Sequence, residues 1–204
     1  MIHSIQQDAR NYTHPLPDFI RSVNRSRTIG LIDNTELQTV NLDGILLLVS
    51  RLANQGVASL AKLQLDDSLR IGELPGAYWR DINAALDHSP MPKQEWKSAQ
   101  ELFQDNDLIA QLTGVARSSV GRYIRGERAT PDEVSERLHA VMMIAADLQG
   151  VLNPQGVRRW FTKRRSHLDG LAPIDVLGKD WTTDSSGYAR VRTLADSDLS
   201  FQAT

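Results

Sequence analysis

The sequence predicts an all-α protein, and three observations predict it. After Leu42, apolar residues recur at spacings of three and four, the period of helices with one buried face. Prolines and glycines fall between those stretches, at positions that start and stop helices. Alternation of apolar and polar residues, the mark of a half-buried strand, is weak everywhere. With 204 residues, 41% hydrophobic and 24% charged, the chain can bury a core unaided. No internal repeat is visible.

Taken in order, residues 1–38 show no sustained period, contain Pro15 and Pro17, and read as loosely ordered with short helical pieces. Leu42, Leu46, Val49 and Leu52 then mark one face of a helix that Gly56 stops. Val57, Leu60 and Leu63 suggest a second, short helix. Pro75 opens a third, with Trp79, Ile82 and Leu86 inward, ended near Ser89-Pro90. Residues 1–90 are thus a partly helical N-terminal extension whose role the sequence does not declare.

A second region covers residues 91–150. Pro92 restarts the pattern with Trp96, Ala99 and Phe103, and two short helices separated by Thr113-Gly114 lie between Asp105 and Gly126. The clearest boundary is Thr130-Pro131-Asp132-Glu133: Thr130 to cap the orphan amides, Pro131 at the first helical position, Glu133 to close a capping box. Val134, Leu138, Val141, Ala145 and Leu148 share the face of the helix that follows, which ends by Gly150.

Residues 151–204 form the third region. Asn153-Pro154 opens a helix with Val157, Trp160 and Phe161 inward, and Pro173 a helix of one or two turns closed by Gly178. Residues 181–204 read as polar, with scattered Tyr188, Val191 and Leu194.

Composition excludes several function classes. The chain has no cysteine, hence no disulfide, thiolate metal site or cysteine nucleophile. His3, His14, His88, His139 and His167 lack metal-ligand spacing, and His139, on an apolar helix, reads as a packing residue. Ser59 and Lys62 match the Ser-x-x-Lys signature of acylating enzymes without its partner motifs, and Asp66-Asp67 reads as a solvated turn. No glycine loop suited to phosphate is present. The expectation is no catalytic residue, no metal and no cofactor. The N-terminal residues lack the pattern of a secretory signal. An apolar run such as 45–49 is far short of the roughly 20 residues that span a bilayer. A cytoplasmic protein with no membrane partner is expected.

The net charge of -2 does not itself suggest nucleic acid. Screening confines a charge's influence to about 10 Å, so placement matters more. Arg117, Arg122, Arg125 and Arg128 cluster, and Arg158, Arg159, Lys163, Arg164 and Arg165 form a second group without an acid among them.

Residues 106–125, NDLIAQLTGVARSSVGRYIR, meet the steric demands of a helix-turn-helix. Ala110 is the small residue where two helices cross, and Gly114 is free to take positive φ in the turn. Val115 anchors the second helix, and Val120 with Tyr123 or Ile124 faces inward. Arg117, Ser118, Ser119, Arg122 and Arg125 remain for the outer surface. The stretch resembles the helix-turn-helix of the phage-repressor, Xre-like class over roughly residues 92–148, including the Gly126-Glu127-Arg128 exit and Pro131. That resemblance implies a lambda-repressor-like bundle whose residues 117–125 enter the major groove. Arg117, Ser118 and Arg122 are then expected at base edges and Arg125 and Arg128 nearer phosphate, with Ser119 among the DNA-binding residues.

Residues 153–178, NPQGVRRWFTKRRSHLDGLAPIDVLG, are similar to the C-terminal domain of Xre/MbcA/ParS-type antitoxins. Arg159-Trp160-Phe161, Leu168-Asp169-Gly170 and Pro173 with Leu177 match its three features in order, and Gly187, Val191 and Leu194 loosely echo its close. This resemblance implies a small helical toxin-binding domain, hence a homodimeric antitoxin that represses its own operon by binding operator DNA. Its cognate toxin would degrade NAD or transfer ADP-ribose. Arg159, Arg164, Arg190 and Arg192 are the expected toxin contacts, although the 158–165 cluster also suits a second DNA contact, and Trp160 and Phe161 read as core. Two alternatives stand beside this: a free-standing regulator with a sensing N-terminal region, and a helical interaction protein that binds no DNA.

Overall fold

A computed structural model describes residues 16–33, 42–57 and 76–202. Every regular element among them is helical, and no helix is long and apolar enough to cross a membrane. The chain divides into two compact units, Met1–Ser89 and Pro90–Thr204.

The first unit contains α1 (Leu16–Thr28), α2 (Leu42–Asn54) and α3 (Gly76–Asp87). A full helix at α1 departs from the loosely ordered segment expected there. Its buried face mixes Phe19 and Val23 with Ser22, Arg25 and Ser26, which breaks the apolar period that sequence reading relies on. Phe19 meets Trp79 of α3 edge to face at 4.7 Å. Arg25 is buried because α3 supplies its partners: it donates to the Asn83 carbonyl and to Asp87 Oδ2, both at 3.0 Å. Trp79, Ile82 and Leu86 face inward as their spacing requires. In α2 Leu48, Val49 and Leu52 are buried, while Leu46, expected on the same face as Val49 and Leu52, is 38% exposed. Gly56, at φ 77°, ends that helix where expected. Most of the short helix expected over 57–63 lies outside the described residues, as do Ser59, Lys62, Asp66, Asp67, His3 and His14.

The second unit runs through α4 (Pro92–Phe103), α5 (Asn106–Thr113), α6 (Arg117–Ile124), α7 (Asp132–Gln149), α8 (Pro154–Thr162), a 3-10 turn (Ser166–Leu168), α9 (Pro173–Leu177) and α10 (Ser186–Gln202). Its centre is α7, against which α4, α5, α8 and α10 all pack. That explains why α7 is buried on nearly every side, from Val134 to Leu148, rather than along the single stripe its sequence suggests. His139 is a packing residue within this core, its Nδ1 at 2.5 Å from the equally buried Glu95 Oε1. The start of α7 differs from expectation. Thr130 Oγ1 accepts a hydrogen bond from Trp96 Nε1 at 2.9 Å instead of capping α7. Pro131 occupies the cap position itself, and Glu133 pairs with Arg137 rather than closing a capping box.

Residues 151–204 belong to the same compact unit as the short helix pair. The polar tail expected after residue 181 contains α10, a helix of 17 residues. Among its residues of described burial, Val191, Leu194 and Ala195 are the buried apolar ones, too few to announce a stripe. Polar bonds fasten it instead: Arg192 to Asp147 of α7 at 2.9 Å, and Asp198 accepting from Trp160 Nε1 at 2.7 Å. Near its start, a β-carbon on Gly187 would lie 2.7 Å from the Val176 carbonyl oxygen, so α9 and α10 meet backbone to backbone.

The connection between α9 and α10 turns back onto the helix pair. Trp181 Nε1 donates to the Leu112 carbonyl at 2.9 Å, satisfying an end of α5 that the helix itself leaves open, and its ring stacks on Tyr188. Trp181→Phe keeps a ring and removes the donor. Urea denaturation is expected to register a loss of about 1–3 kcal/mol, the usual range for orphaning a buried acceptor.

Candidate nucleic-acid interface

Local chemistry builds the helix pair. Asp105 caps α5, its carboxylate accepting from the amides of Asp107 at 2.9 Å and Leu108 at 3.0 Å. Gly114 ends α5 in the left-handed region at φ 71°, and Val115 N bonds back to the Ala110 carbonyl. Residues Val115 and Ala116 then lead into α6 with Ala116 extended. Ala110 is buried at the crossing, as its size suggested.

Gly114 is required for a second reason. The carbonyl oxygen of Lys179 and the guanidinium of Arg137 lie so close that a β-carbon there would collide with both. Arg137, buried on α7, donates to the carbonyls of Thr113 and Lys179 at 3.3 Å each and pairs with Glu133. One buried cation therefore joins the central helix, the turn of the pair and the segment after α9. Nothing in local sequence periodicity signals Arg137 or Lys179 in this role.

Behind α6, Val120 and Tyr123 are buried, and the Tyr123 ring stacks on Trp96 of α4 at 4.9 Å with planes 14° apart. Ile124 is only half-buried, so Tyr123 is the inward residue of that pair. Because α6 packs mainly on α4 and α5, its far side is left outside. There stand Arg117, Ser118, Arg122 and Arg125, with Arg128 just beyond, all exposed. Arg128 sits over the outer face of Tyr123, 5.6 Å from the ring centroid. Ser119 departs from its expected outward position: it is 7% exposed, on the side of α6 that carries Val120 and Tyr123.

Two carboxylates accompany these arginines, and residue type alone did not single them out. Asp107, in the first turn of α5, pairs with Arg117 Nε at 3.0 Å. Glu127 takes Arg125 Nε at 2.6 Å and Nη2 at 2.9 Å. That hydrogen bond holds the Glu127 carboxyl below the usual carboxylate range and raises Arg125 further above its ordinary value. Beside Asp107 and Arg117, a cleft of about 590 Å³ opens between the α5–α6 turn and α9, with Gln111, Asp175 and Lys179 also on its walls.

The remaining predicted residues divide. Arg159 and Arg164 are exposed, and their side chains have no ion-pair partner among the described residues. Arg190 is exposed and paired with Asp169 at 2.6 Å. Arg192 is turned inward onto Asp147, which is 1% exposed, with Asp196 also within reach. Within the basic group, Arg158 donates to the Leu102 carbonyl at 2.9 Å, and Arg165 pairs with Asp198 and lies over Trp160. Trp160 and Phe161 are core. No family model, curated protein or solved structure matches the chain.

Proposed function

We propose that this chain binds duplex DNA through α6, with Arg117, Ser118 and Arg122 at base edges and Arg125 and Arg128 nearer phosphate. One observation carries the reading: a two-turn helix, anchored from behind by Val120 and the Trp96–Tyr123 stack, holds its arginines outside the fold. Such a helix fits the major groove, and arginine can donate to two acceptors on one base. The charge is local, which suits a protein whose net charge is near zero.

The fuller proposal is an antitoxin that represses its own operon as a dimer on a palindromic operator. Its toxin-facing surface would lie on residues 151–204. The order of the two sequence resemblances supports it, together with the exposed, unpaired Arg159 and Arg164. A regulator with a sensing region is the second reading, favoured by the separate compact unit formed by Met1–Ser89.

The test is electrophoretic retardation of duplexes across a salt series, with co-purification of the neighbouring gene product. Binding should weaken steeply with salt. Arg122→Ala should cost about 1–3 kcal/mol against the preferred duplex and little against an unrelated one. Equal, weak retention of every duplex at low salt would favour an interaction protein that binds no DNA.

A further inference from the structure

Resting on the DNA-binding reading, the arginine that opens α6 stands beside a carboxylate that can set its orientation toward a base. Arg117 opens the helix, with the Asp107 carboxylate 3.0 Å from its Nε. Its two terminal nitrogens have no acceptor among the described residues. Arg125 is arranged differently: Glu127 occupies both Nε and Nη2 and so takes one whole edge of the guanidinium.

Guanine presents O6 and N7 side by side in the major groove, and arginine reads them with two N–H groups at once. With the Asp107 carboxylate beside its Nε, Arg117 keeps its terminal pair available and has fewer orientations to lose when it meets a base. The Arg117–Asp107 pair is 71% and 58% exposed, so it adds little to folding. Nor is Asp107 needed to cap α5, since Asp105 does that. A carboxylate beside a groove-reading helix repels phosphate, and so costs affinity on every sequence alike.

We propose that Asp107 is a positioning residue that buttresses Arg117 for reading one guanine of the target duplex. Asp107 thereby exchanges overall affinity for discrimination.

The experiment uses the full chain and a duplex selected by it from a random pool. Guanines are replaced one at a time by 7-deazaguanine, which lacks the N7 acceptor. One position should weaken wild-type binding by about tenfold. Arg117→Ala should abolish that sensitivity. Asp107→Asn should melt at the wild-type temperature, bind unrelated duplexes at least as tightly as wild type, and lose most of the sensitivity at that one guanine. Unchanged sensitivity in Asp107→Asn, with tighter binding to all duplexes, would overturn the buttress and leave the DNA-binding reading intact. Failure of the selection to enrich any duplex would remove both.

Discussion

Gly114→Ala is expected to destabilise the second unit by about 2–5 kcal/mol, the largest effect of any single methyl group in the helix pair. Two costs combine. The left-handed backbone at φ 71° disfavours any β-carbon by about 1–2 kcal/mol. That carbon would also drive into the Lys179 carbonyl and the Arg137 guanidinium, which are held by bonds to Thr113 and to each other. Overpacking of this kind costs about 1–3 kcal/mol when the neighbour is backbone and has little room to give. Gly126→Ala is the matched control. It has φ 70° but open space around it, so it should show the backbone cost alone. Chemical denaturation of both variants separates the two terms. Equal losses would mean that the Lys179 segment yields freely and does not press on the turn.

Arg192→Ala is expected to lower stability by about 1–3 kcal/mol, because it withdraws a charged hydrogen-bond partner from the buried Asp147. Arg164→Ala, on an exposed side chain, should stay within about 0.5 kcal/mol. The contrast bears on the partner surface. Arg192 was expected to meet a toxin, and its bonds to Asp147 and Asp196 already occupy it within the fold. A thermal melt of Arg192→Ala that matches wild type would return it to the candidate partner contacts. A large loss would leave Arg159, Arg164 and Arg190 to carry that surface.

Much of the second unit was legible in the sequence because local rules governed it. The turn glycine, the small Ala110, the inward Val120 and Tyr123 and the outward arginines all follow from helix period and backbone sterics. Elements held by polar bonds between distant segments were illegible. The α1 face contains a buried arginine whose acceptors lie on α3, and α10 is attached through Asp147 and Asp198 rather than by an apolar stripe. Thr130 was assigned to the nearest amides, yet the Trp96 indole claimed its hydroxyl. Ser119 was misplaced because a serine gives no hydropathic signal of which side it faces. Asp107 and Glu127 are close in sequence or across one turn from the arginines they hold, so pairing acids with each predicted reader would have found them.

The junction of Gly114, Arg137 and Lys179 also governs how the second unit can be dismantled. There is no swivel between the helix pair and the chain that follows α8. A fragment ending at residue 150 would therefore strip Arg137 of one acceptor and Leu112 of its indole donor. Such a truncation is no clean excision of a reading head. Conversely, anything that grips the segment between α9 and α10 also bears on the turn that sets α6, as a hand on a key's bow sets the angle of its blade.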